Sequence, residues 1–250
     1  MLTLLALLAQ DPFDIRPEGD WGVSTADARK VLEAAGRELR KHVPERTFPP
    51  IEVAPKGGPI TLFQRGPKGE IRVRLDVNGP FWAQYTFQFA HELGHVVCGY
   101  DPDPHKQKWF EESVCEAASL YVLRRSAETW KTAPPYPHWK DYAKSLTAYA
   151  DDRLKVSNLP PDTTLAAWYK ERKAQCEANA EDRPRNLIIA AQLLPLFEED
   201  PRRWEALGWL NTETHTASTS FADYLKAWER HCPEKHKAFA RQIRALFDVQ

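Results

Sequence analysis

Between Trp82 and Cys98 the chain spells a helix with two unlike faces. Trp82, Tyr85, Phe89, Leu93, Val96 and Val97 fall on one side of a helical wheel. Gln84, Gln88, His91, His95 and Cys98 fall on the other. The apolar side requires a core to lie against, and the polar side is left for water or a ligand. His91 and His95 are four residues apart, so they stand on one face about 6 Å apart along the axis. Two imidazoles at that spacing can share one tetrahedral metal ion. Glu92 sits at the edge of the polar face, turned one residue from His91. A carboxylate there can take a proton from a water in the site without ligating the metal itself. Histidines that only made hydrogen bonds in a core would not need two imidazoles and a glutamate all kept off the apolar face.

A catalytic zinc site commonly takes three protein ligands and keeps one position open. The stretch from Trp109 predicts a second helix reaching to about Trp130. Its wheel puts Glu112, Cys115, Glu116, Ser119 and Leu123 on one side and Phe110, Val114, Ala117 and Tyr121 on the other. Apolar flanks suit a half-buried helix better than a charged surface. Glu112 and Glu116 are again one turn apart, so both can face the first helix. One can ligate zinc while the other accepts a hydrogen bond from the Nδ1–H of a ligand histidine and fixes its tautomer.

His91-Glu92-Leu93-Gly94-His95 followed by Trp109-Phe110-Glu111-Glu112 resembles the gluzincin metallopeptidases, the thermolysin-like and aminopeptidase-like zincins. The resemblance covers roughly residues 70–125. It implies Zn2+ as cofactor, His91, His95 and Glu112 as its ligands, and Glu116 as the acid that orients a ligand histidine. It implies peptide-bond hydrolysis by a zinc-activated water with Glu92 as general base, on a peptide or protein substrate. It also implies a Tyr or His that supports the oxyanion, for which Tyr136, His138, Tyr142, Tyr149 and His215 are candidates. Ser113 stands where the family often has glycine, and Cys115 where it often has alanine. A related group of regulatory zinc proteases, with a glutamate–alanine helix, would place the acid at Glu116. Metzincins do not fit: Cys98 replaces their glycine, and Met1 is the single methionine, so no methionine turn exists. The alternative to an enzyme is a zinc-stabilised binding or structural protein on the same scaffold, with Cys98 or Cys115 as a fourth ligand.

The rest of the chain predicts an α+β fold: a small mixed sheet and the helix carrying His91 over residues 21–131, which the resemblance implies is a zincin-like domain, then a mainly helical region over 132–250. Ser24 caps a helix from Thr25 to about His42. Strands are expected at Ile51–Ala54, Ile60–Gln64 and Glu70–Val77. By the resemblance, one of the last two borders the cleft and can pair with an extended peptide. After Thr132–Pro137, helices are expected at His138–Leu154, Thr163–Ala180, Arg185–Glu199, Ser220–Arg230 and Pro233–Phe247. With 34 Lys and Arg against 35 Asp and Glu, nothing in the charge draws the chain to nucleic acid. No stretch is long and apolar enough for a transmembrane segment. Residues 1–20 read as a leader or a frayed end. Leu2–Ala9 is an apolar run of the kind found in secretion signals, and it points to export to the periplasm or beyond, although no basic residue precedes it. The four cysteines show no C-x-x-C spacing. Cys98 and Cys115 are expected to approach each other, as free thiols or as a disulfide.

Overall fold

A computed structural model describes residues 13–250. The apolar run Leu2–Ala9 lies outside the described residues. The fold is α+β, with one small sheet and otherwise helix.

Four short strands form the sheet: β1 (Ile15–Pro17), β2 (Ile51–Ala54), β3 (Ile60–Leu62) and β4 (Ile71–Arg74). Their spatial order is β1-β2-β4-β3, with β1, β2 and β4 parallel and β3 antiparallel to β4. In β4 the alternation holds: Ile71 and Val73 are buried and Arg74 is exposed. β4 lies inside the sheet. Of the two strands expected to border a cleft, only the one at Ile60 is an edge. β1 falls inside the segment read as a leader or frayed end. Its three residues were too few to show a period, yet Ile15 is buried, as are Phe13 and Trp21 on either side.

Helix α1 (Thr25–Arg40) starts where Ser24 accepts a hydrogen bond from the Asp27 amide, and it buries Val31, Leu32, Ala35 and Leu39. Helix α2 (Trp82–Cys98) packs between α1 and α3 (Lys108–Trp130). Gly99 ends α2 in the left-handed region at φ 70°, and the Tyr100 amide reaches back to the His95 carbonyl at 3.1 Å. A side chain at Gly99 would strain that turn.

Helix α3 is buried on every side from Trp109 to Leu123, with Glu112 the one residue left half-buried. The half-buried helix expected from sequence is thus the central one. The cover comes from downstream: α4 (Ala143–Leu154) and α6 (Arg183–Glu199) pack directly on it. α5 (Leu165–Ala178), the short α7 (Arg203–Ala206), α8 (Phe221–His231) and α9 (Glu234–Leu246) complete the helical half. The long helix expected from His138 starts later: Pro137–Tyr142 form a separate 3-10 turn before α4. One continuous apolar cluster runs from Phe13 to Phe247, so the helical half and the sheet half share a core.

His42, just past α1, lies 2.8 Å from the Tyr121 hydroxyl through Nε2. Burial, and then the Lys41 charge, lowers its pKa to about 4. The unfolded chain takes up that proton near pH 6.5, the folded chain only near 4. Stability from this group is therefore whole above pH 6.5 and drains as pH falls towards 4. The thermal midpoint should fall across that window, and His42→Gln, which cannot titrate, should fall less steeply. An equal slope in the variant would assign the acid loss to other groups.

Candidate metal centre

α2 and α3 approach closely because Gly94 has no side chain. A Cβ there would stand 2.8 Å from the Cys115 sulfur and 3.0 Å from the Cys115 Cα. The approach brings the polar stripe of α2 against three glutamates of α3. His91 Nε2 is 3.1 Å from Glu112 Oε2, and His95 Nε2 is 3.5 Å from Glu112 Oε1. Donor atoms of His91, His95 and Glu112 all lie within 4.8 Å of one another. In a tetrahedron with metal–ligand bonds of about 2.1 Å, donors stand about 3.4 Å apart. The two nitrogens and the carboxylate could thus hold one metal ion.

The other nitrogens of both rings also face acids. His95 Nδ1 is 2.6 Å from Glu111 Oε1, and His91 Nδ1 has a longer contact, 3.5 Å, with Glu116 Oε2. Each carboxylate can hold an Nδ1 proton and leave Nε2 free to ligate. Glu116 thus faces His91 from one turn further along α3 than Glu112. Glu111, whose role the helical wheel did not reveal, grips the second ring more tightly. Its other oxygen accepts from Asn211 Nδ2 at 2.6 Å, and Asn211 Oδ1 accepts from the Tyr224 hydroxyl at 2.7 Å. That chain of hydrogen bonds ties a candidate ligand to α8. Nothing in the sequence links these residues to Glu111, because they lie about a hundred positions away. Glu111→Gln should weaken zinc binding by about 10- to 100-fold, read by competition with a chromophoric chelator. Unchanged affinity would leave Glu111 a packing residue.

Burial by itself lowers the pKa of His91 and of His95, but the facing carboxylates outweigh it. Glu112, Glu116 and Glu92 hold His91 well above the usual imidazole range, and Glu111 and Glu112 raise His95. Burial likewise opposes ionisation of Glu112, and the two imidazoles, helped by Arg183, overcome it and lower its pKa. These shifts favour the protonated rings, so metal binding is expected to release protons.

Glu92 is buried and lines the same cleft as the two histidines, outside the converging donor set. Thr61 on β3 donates to Glu92 Oε2 at 2.8 Å and also lies 3.2 Å from the Glu92 carbonyl oxygen. Thr61 was not singled out in the sequence. It is buried between exposed Ile60 and half-buried Leu62 on an edge strand, a position that only the fold reveals.

The cleft has a volume of about 590 Å3, enough for a few residues of an extended peptide. Of the five oxyanion candidates only Tyr149 lines it. The Tyr142 hydroxyl accepts from the Ala83 amide, and His215 is buried beside His105 and Tyr224. Tyr136 and His138 stack on each other beside Trp139. Cys98 and Cys115 are free, buried and in contact, and burial holds the Cys115 thiol neutral by pushing its pKa well up. Cys115 groups with His95 and Glu111 and not with His91 and Glu112.

No protein-family model, no curated protein and no solved structure matches this chain. Among the described residues no helix is long and apolar enough to cross a membrane.

Proposed function

We propose that this chain is a zinc-dependent hydrolase, and within that class a metallopeptidase of the gluzincin type. The observation that carries the proposal is the convergence of His91, His95 and Glu112 beside a carboxylate, Glu92, that stays outside the ligand set. A zinc used only to staple the fold has no need of Glu92. It would also favour a closed site with a fourth ligand from the chain, and Cys115 belongs to a different donor group.

His91, His95 and Glu112 would hold the ion, and Glu111 and Glu116 would set both imidazole tautomers. When bound, zinc supplies Lewis acidity that polarises a carbonyl and makes water easier to deprotonate. An extended peptide lies along the exposed edge of β3, which sets its carbonyl over the site. Thr61 occupies one oxygen of Glu92 and leaves the other to take the proton from water. Glu92 then carries that proton to the departing nitrogen. Tyr149, on the facing wall, is the phenol that can donate to the developing oxyanion.

Chelation tests this directly. The purified protein is expected to bind one zinc and to cut an unstructured protein substrate. A chelator should abolish cutting, and one equivalent of zinc should restore it. Hydrolysis that survives metal removal would overturn the proposal, as would a protein that binds no zinc.

A further inference from the structure

The two walls of the cleft differ in chemistry. One is β3 and the turn before it. The other is built from α4 and the start of α6, and it carries two arginines, Arg153 and Arg183. Arg153 follows Tyr149 by one helical turn. Its guanidinium carbon lies 4.5 Å from the centre of the Phe87 ring and 5.3 Å from that of Tyr149. One terminal nitrogen donates to the Tyr149 hydroxyl at 3.1 Å. Phe87 in turn stands one turn before His91 on α2, so this guanidinium is fixed close to the metal centre. Arg183 is the first residue of α6, is exposed, and its charge reaches Glu112.

Among the described residues neither guanidinium has a carboxylate partner, whereas Arg185, Arg203, Arg241 and Arg244 in the same helical half all do. An arginine stacked on aromatic faces keeps its edge N–H groups, and these match the two oxygens of a carboxylate. Stacking also fixes the side chain before binding, which reduces the entropy lost on contact. Four glutamates crowd the centre itself. The arginine wall, where Glu181 is the one acid, is therefore the better place for an anionic group, and Lys108, the cleft's other cation, lies apart over the Phe63 ring.

We infer that Arg153 and Arg183 form a carboxylate-binding end of this cleft, so that the favoured substrate presents a carboxylate near the bond to be cut. This inference rests on the metallopeptidase reading above. The carboxylate comes from either the peptide's C-terminus or an Asp or Glu side chain.

Zinc-loaded protein is given matched peptides that end in an acid or an amide, and that carry Glu or Gln at internal positions. A terminal carboxylate is expected to raise kcat/KM about 10- to 100-fold for acid over amide; a side-chain carboxylate gives the same preference for Glu over Gln. The preference should collapse in the variant Arg153→Gln with Arg183→Gln. It should fall by less in Arg153→Lys, which keeps the charge and the packed stem but loses the fork. Equal cutting of charged and neutral peptides overturns the inference and leaves the peptidase reading standing. If no peptide is cut, calorimetric binding of the same set to zinc-loaded Glu92→Gln decides. A carboxylate preference there that vanishes in the arginine variant supports the site although the peptidase reading has failed; equal binding, or none, overturns it.

Discussion

Glu92→Gln is expected to lower peptide hydrolysis by about 10²- to 10⁴-fold while one zinc stays bound. The size follows from what the side chain does. The amide has the shape of the carboxylate, so it fits a buried position that a different shape would disturb. Its carbonyl oxygen can still accept from Thr61, as Oε2 does now at 2.8 Å. What it cannot do is accept a proton from water. His91, His95 and Glu112 are untouched, so metal content should match the parent. Zinc analysis and initial rates on the same preparations read the two effects separately. Full activity in this variant would remove Glu92 from the chemistry and return the centre to a structural role. Loss of both zinc and activity would show that Glu92 supports the site's shape and would say nothing for a base.

How far the site could be read in advance depends on the distance over which each signal acts. His91 with His95, and Glu112 with Glu116, are pairs one turn apart on single helices, and helical geometry fixes their shared face before any packing is known. The contact between the pairs follows from α2 lying on α3, which Gly94 permits. Glu111 is legible only as one of three acids within six residues of helix, with Glu112 and Glu116. Its grip on His95 depends on the angle at which the helices meet, which no periodicity reports. Thr61, Asn211 and Tyr224 come from a strand and two distant segments, so their roles exist only once the chain is folded. The same limit hid the burial of α3. Its own wheel shows a polar side, and the cover over that side is supplied by α4 and α6, encoded after residue 131. The wall with Arg153 and Arg183 arises from that same cover. The edge strand β3 is one of two that the sequence allows beside a cleft, and only the order of the sheet separates them.

Glu112→Ala should cost more metal affinity than any other change on α3. The carboxylate meets both Nε2 atoms, one with each oxygen, and no other acid is in that donor group. The loss should exceed the range of about 10- to 100-fold typical of a residue that only orients a ligand. It can be read as stability as well as affinity. A ligand at about 1,000 times its Kd stabilises by about 4 kcal/mol; weakening it 100-fold leaves about 1.4 kcal/mol. Most of the zinc-induced rise in Tm should therefore disappear, measured against the variant's own metal-free protein, which also loses the Glu112 contacts to His91 and His95 and melts below the metal-free parent. Glu116→Ala is the control within the same helix. It meets His91 only through Nδ1, at 3.5 Å, and should lose affinity by the smaller factor. The order of the two variants decides which glutamate binds the ion. If Glu116→Ala loses the greater share of affinity, the ligand is one turn further along α3, and Glu112 is the residue that holds the ring.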